Sequence, residues 1–172
     1  MRVAPTLVPG LAAALITLTL LEAGCATPSP APFAAPPPTA SSAPSLTPAE
    51  SGAVIAAFAA SLVGRPYHFG GADAAGFDCS GLALYVHQRI GLAIPRTAAA
   101  QQRAARPVML ADLAPGDLVF FRIRARHAID HVGIYAGAGR FIHAPRAGRT
   151  VTYADLTQGF YARRLRGAGR FW

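Results

Sequence analysis

Apolar residues at Val54, Ile55, Phe58, Leu62 and Val63 recur at the three-, four- and seven-to-eight-residue spacing of an amphipathic helix. Thr47-Pro48-Ala49-Glu50 precedes them as a capping box with Pro at the first helical position. Gly64-Arg65-Pro66 ends that helix, and a Gly-rich loop over residues 66–78 leads to a second one at about 79–90, with Gly91 as its C-cap. Leu82, Leu84, Tyr85, Val86 and Ile90 give the second helix an apolar surface too broad for exposure, which makes it central. A short helix near 97–105 follows Pro95-Arg96. From Asp117 the rhythm changes to short runs at 118–121, 132–135, 140–143, 150–153 and 161–165, separated by Gly or Pro. Helices first and strands afterwards predict an α+β domain, with N-terminal helices packed on a five- to six-stranded antiparallel sheet.

The first 46 residues do not share these periods. Met1-Arg2 is followed by an apolar stretch over residues 8–21, too short to span a bilayer comfortably but of signal-peptide length. In Leu21-Glu22-Ala23-Gly24-Cys25 the small residues before a Cys resemble a bacterial lipoprotein cleavage site, with Cys25 as the lipidated residue. Glu22 stands where an aliphatic residue is usual, so the other reading is an ordinary secretory signal cut elsewhere. The Pro-, Ala- and Ser-rich segment that follows cannot bury enough apolar surface to fold, and reads as a spacer of roughly 70 Å in a polyproline-like state. The expected organisation is therefore a signal peptide over 1–24, a lipidated Cys with a disordered linker over 25–46, and a folded domain over 47–172.

Charge adds one constraint. The net charge is +8, and the basic residues are all Arg; residues 1–90 hold three Arg against four acids, and residues 91–172 hold thirteen against four. A basic second half suits an anionic polymer or surface. No zinc-finger spacing, RNA-binding aromatic motif or basic heptad region accompanies it, which argues against nucleic acid as partner.

Two residue types carry candidate chemistry. If Cys25 holds lipid, Cys79 is the remaining thiol; its alternatives are a disulfide to Cys25 or a buried structural Cys. Asp78 is a good N-cap, so Cys79 falls in the first turn of the central helix, where free amides and the helix dipole favour a thiolate and can also receive an oxyanion. Ser80 and Gly81 leave that turn uncrowded for a substrate backbone. Of the five His, His87 lies mid-helix, His127 in an Arg-rich loop and His68 beside an aromatic loop. His131 and His143 fall on strand runs with the same parity, joined by a Gly-containing turn. If Tyr135 pairs with Gly139, the two His stand directly opposite each other, as a base and its orienter would. A metal site is the rival reading, short of a third ligand beyond Asp130.

Six motifs in order resemble the NlpC-type cell-wall cysteine peptidases, over roughly residues 50–165: Gly64-Arg-Pro-Tyr-His-Phe-Gly-Gly71, Phe77-Asp-Cys-Ser-Gly-Leu82, Ile94-Pro-Arg-Thr97 with Gln101, Leu113-Ala-Pro-Gly-Asp-Leu-Val-Phe-Phe121, His131-Val-Gly-Ile-Tyr135 and Phe141-Ile-His-Ala144. The resemblance implies a papain-like fold, with Cys79 as nucleophile, His131 as base and His143 as polar third member. It also implies Tyr67 in the oxyanion region, Asp78 and Ser80 flanking the substrate, and no metal or organic cofactor. Two departures are Phe69, where Trp is frequent, and Asp130, where a small residue is common. The implied activity is a peptidoglycan endopeptidase cutting stem peptides or their cross-links, as a monomer anchored by lipid to the outer membrane and facing the periplasm. Acyl transfer or amide hydrolysis on another substrate, and a non-catalytic wall-binding lipoprotein, are the alternatives.

Overall fold

The computed structural model describes residues 47–172. The expected signal peptide, Cys25 and the linker lie outside the described residues. Helix α1 (Pro48–Ser61) begins at the expected capping box: the Glu50 amide donates to the Thr47 hydroxyl at 3.3 Å, and the Thr47 amide donates to the Glu50 carboxylate at 2.7 Å. Its buried stripe is Gly52, Ile55, Ala56 and Ala59. Val54 and Val63, placed on the apolar face by spacing, are instead 38% and 41% exposed. Close approach turns the helix this way, because Gly52 lies so near Trp172 and the Pro115 carbonyl that any Cβ there would collide with them.

Helix α2 (Cys79–Gln88) is central as expected, with Leu82, Ala83, Val86 and His87 buried. Helix α3 (Ala98–Ala104) is capped by the Thr97 hydroxyl. Between α1 and α2 the Gly-rich loop folds into a small hairpin of β1 (Ala72–Asp73) and β2 (Gly76–Phe77), which the sequence pattern did not suggest.

Six further strands build one antiparallel sheet in the order β3-β8-β4-β5-β6-β7: β3 (Arg106–Val108), β4 (Leu118–Phe121), β5 (His131–Gly137), β6 (Arg140–His143), β7 (Thr152–Asp155) and β8 (Leu165–Arg170). The α+β class and the antiparallel sheet are those expected. Three boundaries differ. The β3 strand contains Pro107, tolerated because it lies at the sheet edge. The run at 150–153 enters the sheet only at Thr152, since Thr150 bridges to Pro66 instead. The run at 161–165 is not one strand: the Asp155 side chain accepts from the Thr157 and Gln158 amides at 2.7 and 3.0 Å, turning the chain into a short helix α4 (Gly159–Ala162) before β8 starts.

All four β4 residues are buried, because both faces of the sheet are covered. Leu118 and Phe120, with Val132, Ile134 and Ile142, pack against Ile55, Leu82 and Val86 of the helices. Val119, Phe121 and Phe141 face the other way with Leu156, Tyr135 and Tyr161.

The Leu113-to-Phe121 motif holds the sheet together at one end. Asp117 is fully buried and accepts from Arg170 Nε at 2.6 Å and Nη2 at 2.7 Å, and from the Ala114 amide at 2.8 Å. Removing a partner strands the other charge in a poorly solvated place, so Asp117→Ala is expected to lower unfolding stability by about 3 kcal/mol in urea titration. A loss under about 1 kcal/mol would show that water replaces the carboxylate.

Candidate active site

Helix α2 starts at Cys79 because the extended Asp78 (φ −87°, ψ 177°) caps it, its Oδ1 accepting from the Gly81 amide at 2.6 Å. The same carboxylate accepts from the Gly70 amide at 3.1 Å and from Arg96 Nη1 and Nη2 at 3.0 and 2.6 Å. Arg96 Nη1 also donates to Ser80 Oγ at 3.0 Å, while the buried Gln101 donates through Nε2 to the carbonyls of Ser80 and Pro95 at 3.0 and 2.8 Å. The turn that carries Cys79 is therefore clamped from two sides. Gly81 has a different use from the one expected: a Cβ there would collide with the Gly71 carbonyl, so its bareness admits the protein's own loop and not a substrate backbone. Asp78 and Ser80 are likewise engaged with Arg96. Arg96 and Gln101 stand in one of the sequence motifs without an expected role; the signal for Arg96 is that a part-buried capping acid needs a countercharge.

Cys79 is a free thiol among the described residues, and the amides of Cys79, Ser80 and Val132 are in position to hydrogen-bond its sulfur. Val132 is the neighbour of His131, which opens β5. Cys79, His131, Tyr67, Asp78 and Ser80 all line one open cleft of about 920 Å³, with Phe69 88% exposed beside them. The cleft lies where the two layers meet: Cys79 comes from the helical side, whereas His131 projects on the sheet face that carries Phe121 and Phe141.

The two His are brought together, though not by the register expected. Ile134 pairs with Ile142 and Tyr135 with Phe141, a bulge follows, and Gly137 pairs with Arg140 across a two-residue turn. Both turn residues, Ala138 (φ 50°) and Gly139 (φ 69°), take the positive φ that a type I′ hairpin requires. The shift from the expected pairing is two residues, so the His pair is diagonal instead of opposite but stays on one face. His131 Nε2 and His143 Nδ1 are 2.8 Å apart, with the rings nearly perpendicular at 86°. His143 sits behind His131 and is 2% exposed. Tyr161, which carries no signal of its own in the sequence, closes the pocket from α4: its ring stacks on His131 at 6.1 Å and meets His143 edge-on at 4.9 Å.

The remaining His do not join them. His87 is buried and bonds the Ala83 carbonyl through Nδ1 at 2.8 Å, and His68 and His127 are exposed. Asp130 accepts from the amides of Ile123, Arg124 and Ala125 at 2.6, 2.7 and 2.8 Å, so this departure from the family pattern fastens the loop leading into β5. Among the described residues no three His, Cys, Asp or Glu side chains converge as a metal-ligand set.

The geometry can be set beside known proteins. A model described as the NlpC/P60 family matches residues 64–170. The murein DD-endopeptidase MepH of Escherichia coli (strain K12) is 42% identical over 112 residues, which are 63% of this chain and 41% of that protein. The gamma-D-glutamyl-L-lysine dipeptidyl-peptidase of Bacillus subtilis (strain 168) is 39% identical over 105 residues, 60% of this chain and 36% of that protein. The crystal structure of the NlpC/p60 domain of the peptidoglycan hydrolase SagA superposes with a TM-score of 0.61 at 32% identity, covering 69% of this chain and 97% of that one. The chain spans about two fifths of the length of these curated relatives.

Burial sets the protonation of the site. It pushes the Cys79 thiol up to about 11, helped by the Asp78 charge and opposed by the three amides, so the helix start alone does not lower the thiol as the sequence suggested. Burial also lowers His131 to about 4, with Arg124 adding to the drop and Asp130 opposing it. His143 falls to about 3 through burial and the neighbouring His131, and His87 to about 4 through burial. All three imidazoles are neutral in the fold and titrate near pH 6.5 once unfolded. Each folded value lies below its unfolded one, so the stability is complete above pH 6.5 and drains away as pH falls towards 4. Thermal unfolding at pH 5.5, followed calorimetrically in buffers of different ionisation enthalpy, is expected to take up about three protons from these side chains. Uptake near zero would mean that they are already charged in the fold.

Proposed function

The chain belongs to the NlpC/P60 family, and from that premise we propose that it is a cysteine peptidase that hydrolyses amide bonds in the peptide part of peptidoglycan, either within stem peptides or at their cross-links. The observation that carries the reading is the hydrogen bond between His131 Nε2 and His143 Nδ1 behind the cleft that Cys79 and His131 share. With Nε2 donating to His143, the other nitrogen of a neutral His131 is a free base.

In the proposed reaction, His131 Nδ1 accepts the Cys79 proton as the sulfur attacks the scissile carbonyl. The tetrahedral oxyanion rests on the amides at the start of α2 and on the Tyr67 hydroxyl, which burial and the Cys79 and Asp78 charges keep protonated. The imidazolium returns the proton to the leaving amine, and the thioester is hydrolysed by a water that His131 deprotonates in turn. His143 orients His131 and holds the tautomer; Asp78 and Ser80, clamped by Arg96, flank the substrate. Nothing in these steps calls for a metal or organic cofactor. The names of relatives that act on murein and on glutamyl-lysine bonds support the substrate class. We place the chain in the cell envelope, with Cys25 lipidated in the outer membrane, residues 25–46 as spacer and residues 47–172 acting as a monomer.

Digestion of purified sacculi, with products identified by mass spectrometry, tests the reading. New peptide amine ends are expected from the wild type and none from Cys79→Ala; equal product patterns would sink it. His143→Gln is expected to lower kcat about 100-fold with little change in KM, as for a group felt only in the transition state. Labelled palmitate is expected on the wild type and absent from Cys25→Ala; label retained by that variant would contradict the anchor.

A further inference from the structure

Three arginines from three separate segments line the candidate cleft. Arg124 lies on the loop before β5, Arg146 on the loop after β6, and Arg164 on the turn between α4 and β8. Among the described residues the ion pairs are Arg96 with Asp78 and Arg170 with Asp117, so none of the three has an acidic partner there.

Two of them are held in place. The backbone of Arg124 is fixed by Asp130, which accepts the amide of Arg124 itself and those of both its neighbours. The Arg164 guanidinium lies 3.7 Å from the centre of the Phe160 ring and donates through Nη1 to the Phe160 carbonyl at 3.0 Å, leaving its other donors free. The acids on the same cleft are already committed, Asp78 to Arg96 and Asp130 to three amides. The cleft is thus polarised, with three arginines against the single Asp130 carboxylate on the side built from the sheet loops and a neutralised carboxylate on the side built from α2. Several unpaired guanidiniums around an open groove repel one another, and a ligand bearing carboxylates relieves that repulsion while accepting forked hydrogen bonds.

We propose that Arg124, Arg146 and Arg164 form an anion-reading wall that selects peptides carrying free carboxylates beside the bond held at Cys79. This rests on the peptidase reading for the position of the bond. Carboxylates of a branched acidic peptide turn towards the sheet loops, and this sets the direction in which the chain lies across the thiol. A peptide whose carboxylates have been converted to carboxamides keeps its shape and loses the selection.

The full-length Cys79→Ala protein in mild detergent is titrated calorimetrically with two synthetic peptides. One is L-Ala-γ-D-Glu-diaminopimelate-D-Ala with free carboxylates, the other its twin with those groups amidated. The acidic peptide is expected to bind 10-fold or more tightly, with its advantage shrinking as NaCl rises. Arg146→Gln and Arg164→Gln, each combined with Cys79→Ala, are expected to cut that preference three- to ten-fold. Arg166→Gln, which bonds only local backbone carbonyls, should leave it unchanged. Equal binding of the two peptides, or no binding of either, overturns the proposal. Cleavage of both peptides at equal rates by the wild type would sink this inference and leave the peptidase reading standing. Charge-selective binding without cleavage would do the reverse.

Discussion

The arrangement of the cleft depends on one carboxylate. Asp78 follows β2 directly, caps α2, accepts from the Gly70 amide and receives both nitrogens of the Arg96 fork, so a single side chain ties together the Gly-rich loop, the start of α2 and the segment before α3. The Gly71 carbonyl occupies the space over Gly81 that any side chain would fill, and Gln101 holds the Ser80 carbonyl from α3. Cys79 has little freedom left. Its sulfur lies within hydrogen-bonding reach of the Val132 amide, beside the residue proposed as its base. Preorganisation of this kind is a geometric requirement for a nucleophile, since small displacements are felt strongly in the barrier.

Electrostatics in the cleft follows from the same packing. Phe121, Phe141 and Tyr161 surround the two imidazoles and take them out of water, which is why both remain neutral well below the range of an exposed His. The thiol is desolvated from its own side. In the proposed reaction, an unliganded site that keeps its proton on sulfur and its imidazole free can still react, because the proton moves only when a carbonyl is present to take the sulfur's charge. The hydrogen bond to His143 matters at that moment: a newly formed imidazolium in an apolar cage needs an acceptor for Nε2–H, and His143 Nδ1 is already 2.8 Å away.

Much of this was legible in the sequence, for reasons that can be named. The capping box at Thr47, the central α2 helix with Asp78 at its head and the run of β4 carry local signals that packing did not override. Parity of position put His131 and His143 on one face, and a two-residue error in register could not disturb that, whereas an error of one would have. What stayed hidden was set by distant parts of the chain. Tyr161 reaches the His pair because the Asp155 side chain turns the chain out of β7, and the rotation of α1 follows from the close approach of Gly52 to Trp172. The rise of the Cys79 thiol is not legible in the sequence because a helix start shows donors and not burial, and here burial outweighs three amides.

The price of neutral buried imidazoles is sensitivity to acid, and its consequence separates two ways of losing activity. His131 gains a proton in the fold only near pH 4, whereas the unfolded chain gains one near 6.5 at each of His87, His131 and His143. Between those values acid acts on the folding equilibrium and leaves the proposed base untouched. His87 makes this sharper, since it takes no part in the cleft and yet contributes a full proton to the imbalance. A decline in activity on mild acidification should therefore track the loss of folded protein, with Cys79→Ala unfolding along the same curve. A base exposed to solvent would instead titrate within an intact fold.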